Sequence, residues 1–173
     1  MKRIAGSIAL LIAVFFLIAR ASEPGKEMAS MEKMKSLVGH WEGKDKEGKP
    51  IQLTYHLVSG GSTLVERMDH GEHKDGMITV YHLDGNDVML THYCSMGNQP
   101  RMRAVGSDAG SISFSFVDGT NMKSEDPHMH KLTISWKDVD HIVQEWTMQS
   151  EGKDSPPIIF ELERKDHTDN MHE

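Results

Sequence analysis

His92-x-Cys94 and His128-x-His130 place potential metal ligands two residues apart at two points in the chain. Successive side chains of a β-strand point to opposite faces, so in a strand each pair would lie on one face. Imidazole and thiolate suit zinc or copper, and His92, Cys94, His128 and His130 together could close a four-ligand site. A single imidazole of the set could instead serve as a haem axial ligand. The same four residues also fit a simpler role, as interior or rim groups hydrogen-bonded to neighbours and water. Between the pairs, Arg101 and Arg103 share one face of a strand. Two guanidinium groups there could hold a ligand carboxylate or phosphate by bidentate bonds. On a solvated face their stems would merely cover apolar surface. Cys94 as a nucleophile would need a base or positive neighbour, which His92 or Arg101 could supply, but no orienting acid accompanies it. The chain has no G-x-S-x-G elbow, no G-x-x-x-x-G-K loop and no H-E-x-x-H pair, so a binding protein is expected rather than an enzyme.

These residues sit on elements that the hydropathy pattern outlines. Ser22-Glu23-Pro24 reads as a helix start, and Met28, Met31, Met34 and then Leu37 or Val38 follow at helical spacing. The expected helix covers residues 22–36, with its methionines filling core space. From Gly39 the pattern becomes short and alternating. Ten strands are expected: 38–44, 50–58, 62–68, 76–83, 87–95, 99–106, 111–117, 128–137, 140–149 and 157–164. Gly, Asn, Asp and Pro supply the breaks between them. Strands at this spacing, with no helical crossovers, imply an all-β antiparallel sandwich or barrel. Alternation assigns inward faces to Ile51, Leu53, Tyr55 and Leu57, to Ile78 and Val80 with His82, and to Val88 and Leu90 with His92 and Cys94. It does the same for Ile112, Phe114 and Phe116, for His130, Leu132, Ile134 and Trp136, and for Ile142, Trp146 and Met148. Glu66, Glu145 and Glu161 include candidates for a buried acid, with no partner identifiable from the pattern.

Composition narrows the classes further. The 173 residues suit one domain. A single cysteine excludes an intramolecular disulfide framework and any zinc site made of several thiolates. Lys2 and Arg3 precede a 16-residue apolar run, Ile4 to Ala19, and Ala19-Arg20-Ala21 has a cleavage pattern. Residues 1–21 are therefore read as a signal peptide, with an uncleaved anchor as the alternative. Cleavage near Ala21 would make the protein secreted or periplasmic. The remaining chain has 16 basic against 26 acidic groups, which argues against nucleic acid and anionic membranes as partners. Residues 37–165 then form the barrel domain and 166–173 a polar, flexible tail.

Leu37-Val38-Gly39-His40-Trp41-Glu42-Gly43 opens the first strand directly after the helix. Gly-x-Trp in this place, followed by a run of strands, resembles the calycins: lipocalins, fatty-acid-binding proteins and secreted bacterial lipocalin-like proteins of unknown function. The resemblance covers about residues 28 to 165. It implies an antiparallel up-and-down barrel of eight to ten strands around a ligand cavity, and an Arg of the last strand packed across the Trp. Arg164 stands in that place. The haem-binding nitrobindin barrels are a more distant likeness, since Lys44-Asp45-Lys46-Glu47 replaces their glycine-rich opening. The expected function is an exported protein holding a small, largely apolar ligand. Its cavity would be lined by Tyr55, Phe114, Phe116, Leu132, Ile134 and Trp136, with His92, Arg101, Arg103, His128 and His130 as polar contacts. No cofactor is required by this reading. A zinc, copper or haem barrel using the His/Cys set is the alternative, and a filled barrel acting as an interaction domain is a third. Ligand identity and oligomeric state stay open.

Overall fold

The computed structural model describes residues 24–71 and 73–165, with side chains over 30–71 and 76–165. The signal segment, the Ser22-Glu23 helix start and the tail after 165 lie outside the described residues. Helix α1 (Pro24–Lys35) is followed by β1 (Gly39–Lys44), β2 (Pro50–Val58), β3 (Thr63–His70), β4 (His73–Asp84), β5 (Asp87–Tyr93) and β6 (Gln99–Ser107). Then come β7 (Ser111–Thr120), β8 (His128–Trp136), β9 (His141–Ser150), the two-residue β10 (Lys153–Asp154) and β11 (Ile158–Lys165). Ten strands pair antiparallel in sequence from β1 to β9, and β11 joins β9 to β1. Closure leaves none of these ten strands as a free edge. The expected ten segments are these ten strands; β4 begins earlier than its alternation shows, and the short β10 ribbon on the end of β9 was not expected.

Helix α1 plugs one end. Met31, Met34 and Leu37 are buried, whereas Val38 is exposed, so Leu37 completes the apolar stripe. Ser30 donates to the Ser107 hydroxyl at 3.0 Å, which ties the helix to the end of β6. Arg164 locks the chain between helix and barrel. Its guanidinium carbon lies 4.2 Å from the Trp41 ring centroid. The same group donates to the carbonyls of Val38 and Ser36, each at 2.8 Å, and to Val139. Trp41 Nε1 donates to the Leu37 carbonyl at 2.8 Å. Gly43 lets β1 and β11 meet: a Cβ there would lie 2.0 Å from the Glu161 carbonyl oxygen.

The middle of the barrel is filled rather than hollow. Trp41, Leu53, Tyr55, Leu64, Tyr81, Leu90, Met102, Phe114, Leu132, Ile134 and Trp146 all pack into one core cluster. Tyr55, Phe114, Leu132 and Ile134, expected to line a cavity, are therefore mutual packing partners. The β4 assignment needs reversal. Thr79 and Tyr81 are buried, while Ile78 is exposed. The reason is a polar row inside the barrel, which needs their hydroxyls. Leu57, at the end of β2, also lies on the surface.

Candidate functional site

Four directly paired residues run across neighbouring strands: Tyr55 (β2), Glu66 (β3), Thr79 (β4) and His92 (β5). All four are buried. Burying a carboxylate is tolerable only where donors meet it. Glu66 Oε2 accepts from the Tyr81 hydroxyl and from Gln144 Nε2, each at 2.9 Å. Glu66 Oε1 accepts from the Thr79 hydroxyl at 3.4 Å, and the Tyr55 hydroxyl adds a further bond. Burial pushes the Glu66 carboxyl above its ordinary pKa, against the opposing pull of these donors. Burial and the Glu66 charge also raise both tyrosines well above theirs.

Gln144, on β9, closes the network across the barrel. Its Nε2 also donates to the Tyr55 hydroxyl at 2.6 Å, and its Oε1 accepts from Trp146 Nε1 at 2.8 Å. An indole nitrogen can only donate, so this bond fixes which way the amide faces. His92 forms the last member of the row. Its Nδ1 lies 3.0 Å from Thr79 Oγ1, and its ring packs 4.8 Å from that of Trp146. Its Nε2 is buried without a hydrogen-bond partner among the described residues. Desolvation lowers the His92 pKa from 6.5 to about 4, so the ring is neutral at pH 7.

His92 lies towards the end of the barrel opposite α1. The next row in that direction contains Met68 paired with Met77, and Cys94 follows His92 on the same face. Asn98 is buried in the turn after β5, donating to the Pro127 carbonyl at 2.9 Å while its Oδ1 has no partner among the described residues. A rim clamp closes one side: Asp45 accepts from the His70 ring at 2.8 Å and from the backbone N–H groups of Glu47 and Lys49. Burial raises the Asp45 pKa, but the His70 and backbone bonds outweigh it and hold the carboxyl below its ordinary value.

His128, His130 and Phe116 form a separate cluster at the same end. The Phe116 ring lies 4.4 Å from that of His128 and 5.4 Å from that of His130. His128 Nδ1 donates to the Asp126 carbonyl at 2.7 Å, leaving its Nε2 to accept from His130 Nδ1 at 3.2 Å. Burial lowers the His130 pKa. The four-ligand set does not assemble, because among the described residues no three His, Cys, Asp or Glu side chains converge to hold a metal. The two pairs are committed to different neighbours, Thr79 for His92 and Asp126 for His128. Arg101 and Arg103 share a face, as expected, but it is the outer one. Arg101 forks onto Asp118, and Arg103 pairs with Asp87 at 3.1 Å. They cannot contact a molecule inside the barrel, because Met102 between them takes the inward face. Trp136 lies at the plugged end beneath Lys33, whose Nζ is 4.6 Å from its ring, and so is separated from His92 by the core.

Glu66, Thr79, Tyr81 and Gln144 were not identified as a network from sequence, nor was Asn98 singled out. Alternation does carry a partial signal, since Glu66 lies on one face with Leu64 and Met68, and Gln144 with Ile142 and Trp146.

No family model matches this sequence, and no curated relative matches it. Among solved structures, the chain is similar to a protein of unknown function from the DUF3598 family of Nostoc punctiforme. The TM-score is 0.52 at 14% identity, over 76% of this chain and 49% of that one. The chain thus spans about half of that protein's length, and the likeness is one of fold: a closed antiparallel β-barrel.

Proposed function

We propose that this is an exported, calycin-like barrel that binds a small, largely apolar molecule at the end opposite α1, with His92 as its polar anchor. The observation that carries the reading is His92 Nε2, a buried imidazole nitrogen left without a protein partner. Such a group costs about 1–3 kcal/mol if nothing meets it. The neighbouring members of its network are fully engaged, as the Gln144 and Glu66 bonds illustrate. The layer beyond it contains Met68 and Met77, whose flexible thioethers can move aside and re-pack around a guest. Trp146 supplies an aromatic wall. The filled centre means that the guest occupies the end of the barrel and not its whole length. The signal-peptide reading of residues 1–21 supports export.

The test is to purify the protein from its native host and identify small molecules released on denaturation by mass spectrometry. N-terminal sequencing of the same sample should begin at Ser22. The reading requires a stoichiometric organic molecule in the wild type and its loss from a His92→Phe variant. An empty wild-type protein, or equal loading of the variant, would refute it.

A further inference from the structure

The row that holds His92 also fixes the polarity of its free nitrogen, and this deepens the binding reading on which it rests. The groups that hydrogen-bond the Glu66 oxygens are all able to donate: the Tyr81 hydroxyl, Gln144 Nε2, the Thr79 hydroxyl and the Tyr55 hydroxyl. The carboxylate form therefore satisfies every one of them. Thr79 has a single hydroxyl proton. Given to the carboxylate form of Glu66, whose Oε1 is 3.4 Å away, it meets a charged acceptor, a class of bond roughly twice as strong as one to a neutral imidazole. Thr79 Oγ1 must then accept from His92, which places the ring proton on Nδ1, 3.0 Å away. That tautomer also turns the positive end of the imidazole dipole towards the carboxylate. A neutral ring has only one proton, so Nε2 is left with a bare lone pair.

Charge supplies an independent constraint. Among the described residues no Arg or Lys is buried. Arg101 and Arg103 are paired outside, and Arg164 serves the plugged end. The acidic member of the row is Glu66, whose carboxylate form repels an anionic head group. We infer that the end opposite α1 takes neutral, largely apolar molecules that present one O–H or N–H donor to His92 Nε2, and that it discriminates against carboxylates. Glu66 acts here as a positioning residue: it sets the Thr79 proton, and Thr79 sets the His92 tautomer.

Two measurements test this. In ligand-free full-length protein, NMR of the His92 ring nitrogens should show the proton on Nδ1. Thr79→Val should abolish that preference. Calorimetric titrations with decanol, decyl methyl ether and decanoate then read selectivity. Decanol should bind about tenfold more tightly than its ether, the size of one buried hydrogen bond, and more tightly than decanoate. A proton on Nε2 in the wild type would overturn the acceptor assignment, as would ether or decanoate equalling decanol; either result would leave the binding site itself in place. If none of the three binds, the ligand class is wrong, and the binding reading is then decided separately by the host extraction.

Discussion

At the scale of single residues, His92 makes two demands that a packing residue would not. It is held neutral, and it has a nitrogen to spare. The first gives a pH signature. Its folded pKa of about 4 lies below the ordinary 6.5, so between these values the unfolded chain binds more protons than the folded one. Stability from this group is complete above pH 6.5 and is lost as pH falls towards 4. The loss should reach about 3 kcal/mol. Glu66, raised by burial, works in the opposite direction, losing stability as pH rises through the carboxylate range. The His92 share should therefore be read as the difference in urea-unfolding profiles between wild type and His92→Phe. Parallel profiles would contradict the neutral, desolvated ring. Glu66→Ala removes the acceptor shared by Tyr81, Gln144 and Thr79 and leaves several buried donors unpaired. It should cost about 3 kcal/mol in urea-denaturation stability, whereas a loss under about 1 kcal/mol would mean that the network is not closed.

Among the elements, the plugged end and the β1–β11 seam have the sharpest requirements. Arg164 combines contact with the Trp41 ring and a fork that reaches the carbonyls of Ser36, Val38 and Val139. Lys keeps the charge but not the fork, so Arg164→Lys should lower stability by about 2 kcal/mol. An unchanged urea midpoint would show that the contact is ornamental. Gly43→Ala should cost about 3 kcal/mol or more, because its Cβ would collide with the Glu161 backbone. Circular dichroism with urea unfolding would show this, and a stability equal to wild type would contradict the close approach. The Gly-x-Trp opening was legible in the sequence as local spacing, and Arg164 through the calycin resemblance, which implies an Arg of the last strand across that Trp. Strand existence was legible for the same reason: turn residues and alternation are local signals. The facing of β4 was not. Ile78 and Val80 are the β-branched apolar residues of that strand, yet Thr79 and Tyr81 point inward, with Glu66 and His92 beside Thr79. Cross-strand register decides this, and register is not written in any one segment. The separation of His92 from His128 has the same origin, as does the outward facing of Arg101 and Arg103.

For the whole molecule, the plug and the polar row divide the barrel into three zones. One end is sealed by α1, Leu37 and the Trp41–Arg164 contact. The centre is packed, with Glu66 as a buried acid whose donors come from several strands around the barrel. The other end has Met68, Met77, Cys94 and the unpaired edge of His92. A ligand there would bury apolar surface worth about 25 cal/mol per Å² and complete the network at the same time. The decisive measurement is NMR of His92 ring nitrogens in isotopically labelled protein, before and after adding an organic extract of the native host's cells. Binding at this end should shift His92 Nε2 in a saturable way while leaving the ring nitrogens of exposed His141 unmoved. An extract that leaves His92 Nε2 unchanged at saturation would contradict the assignment of this barrel end as the binding site.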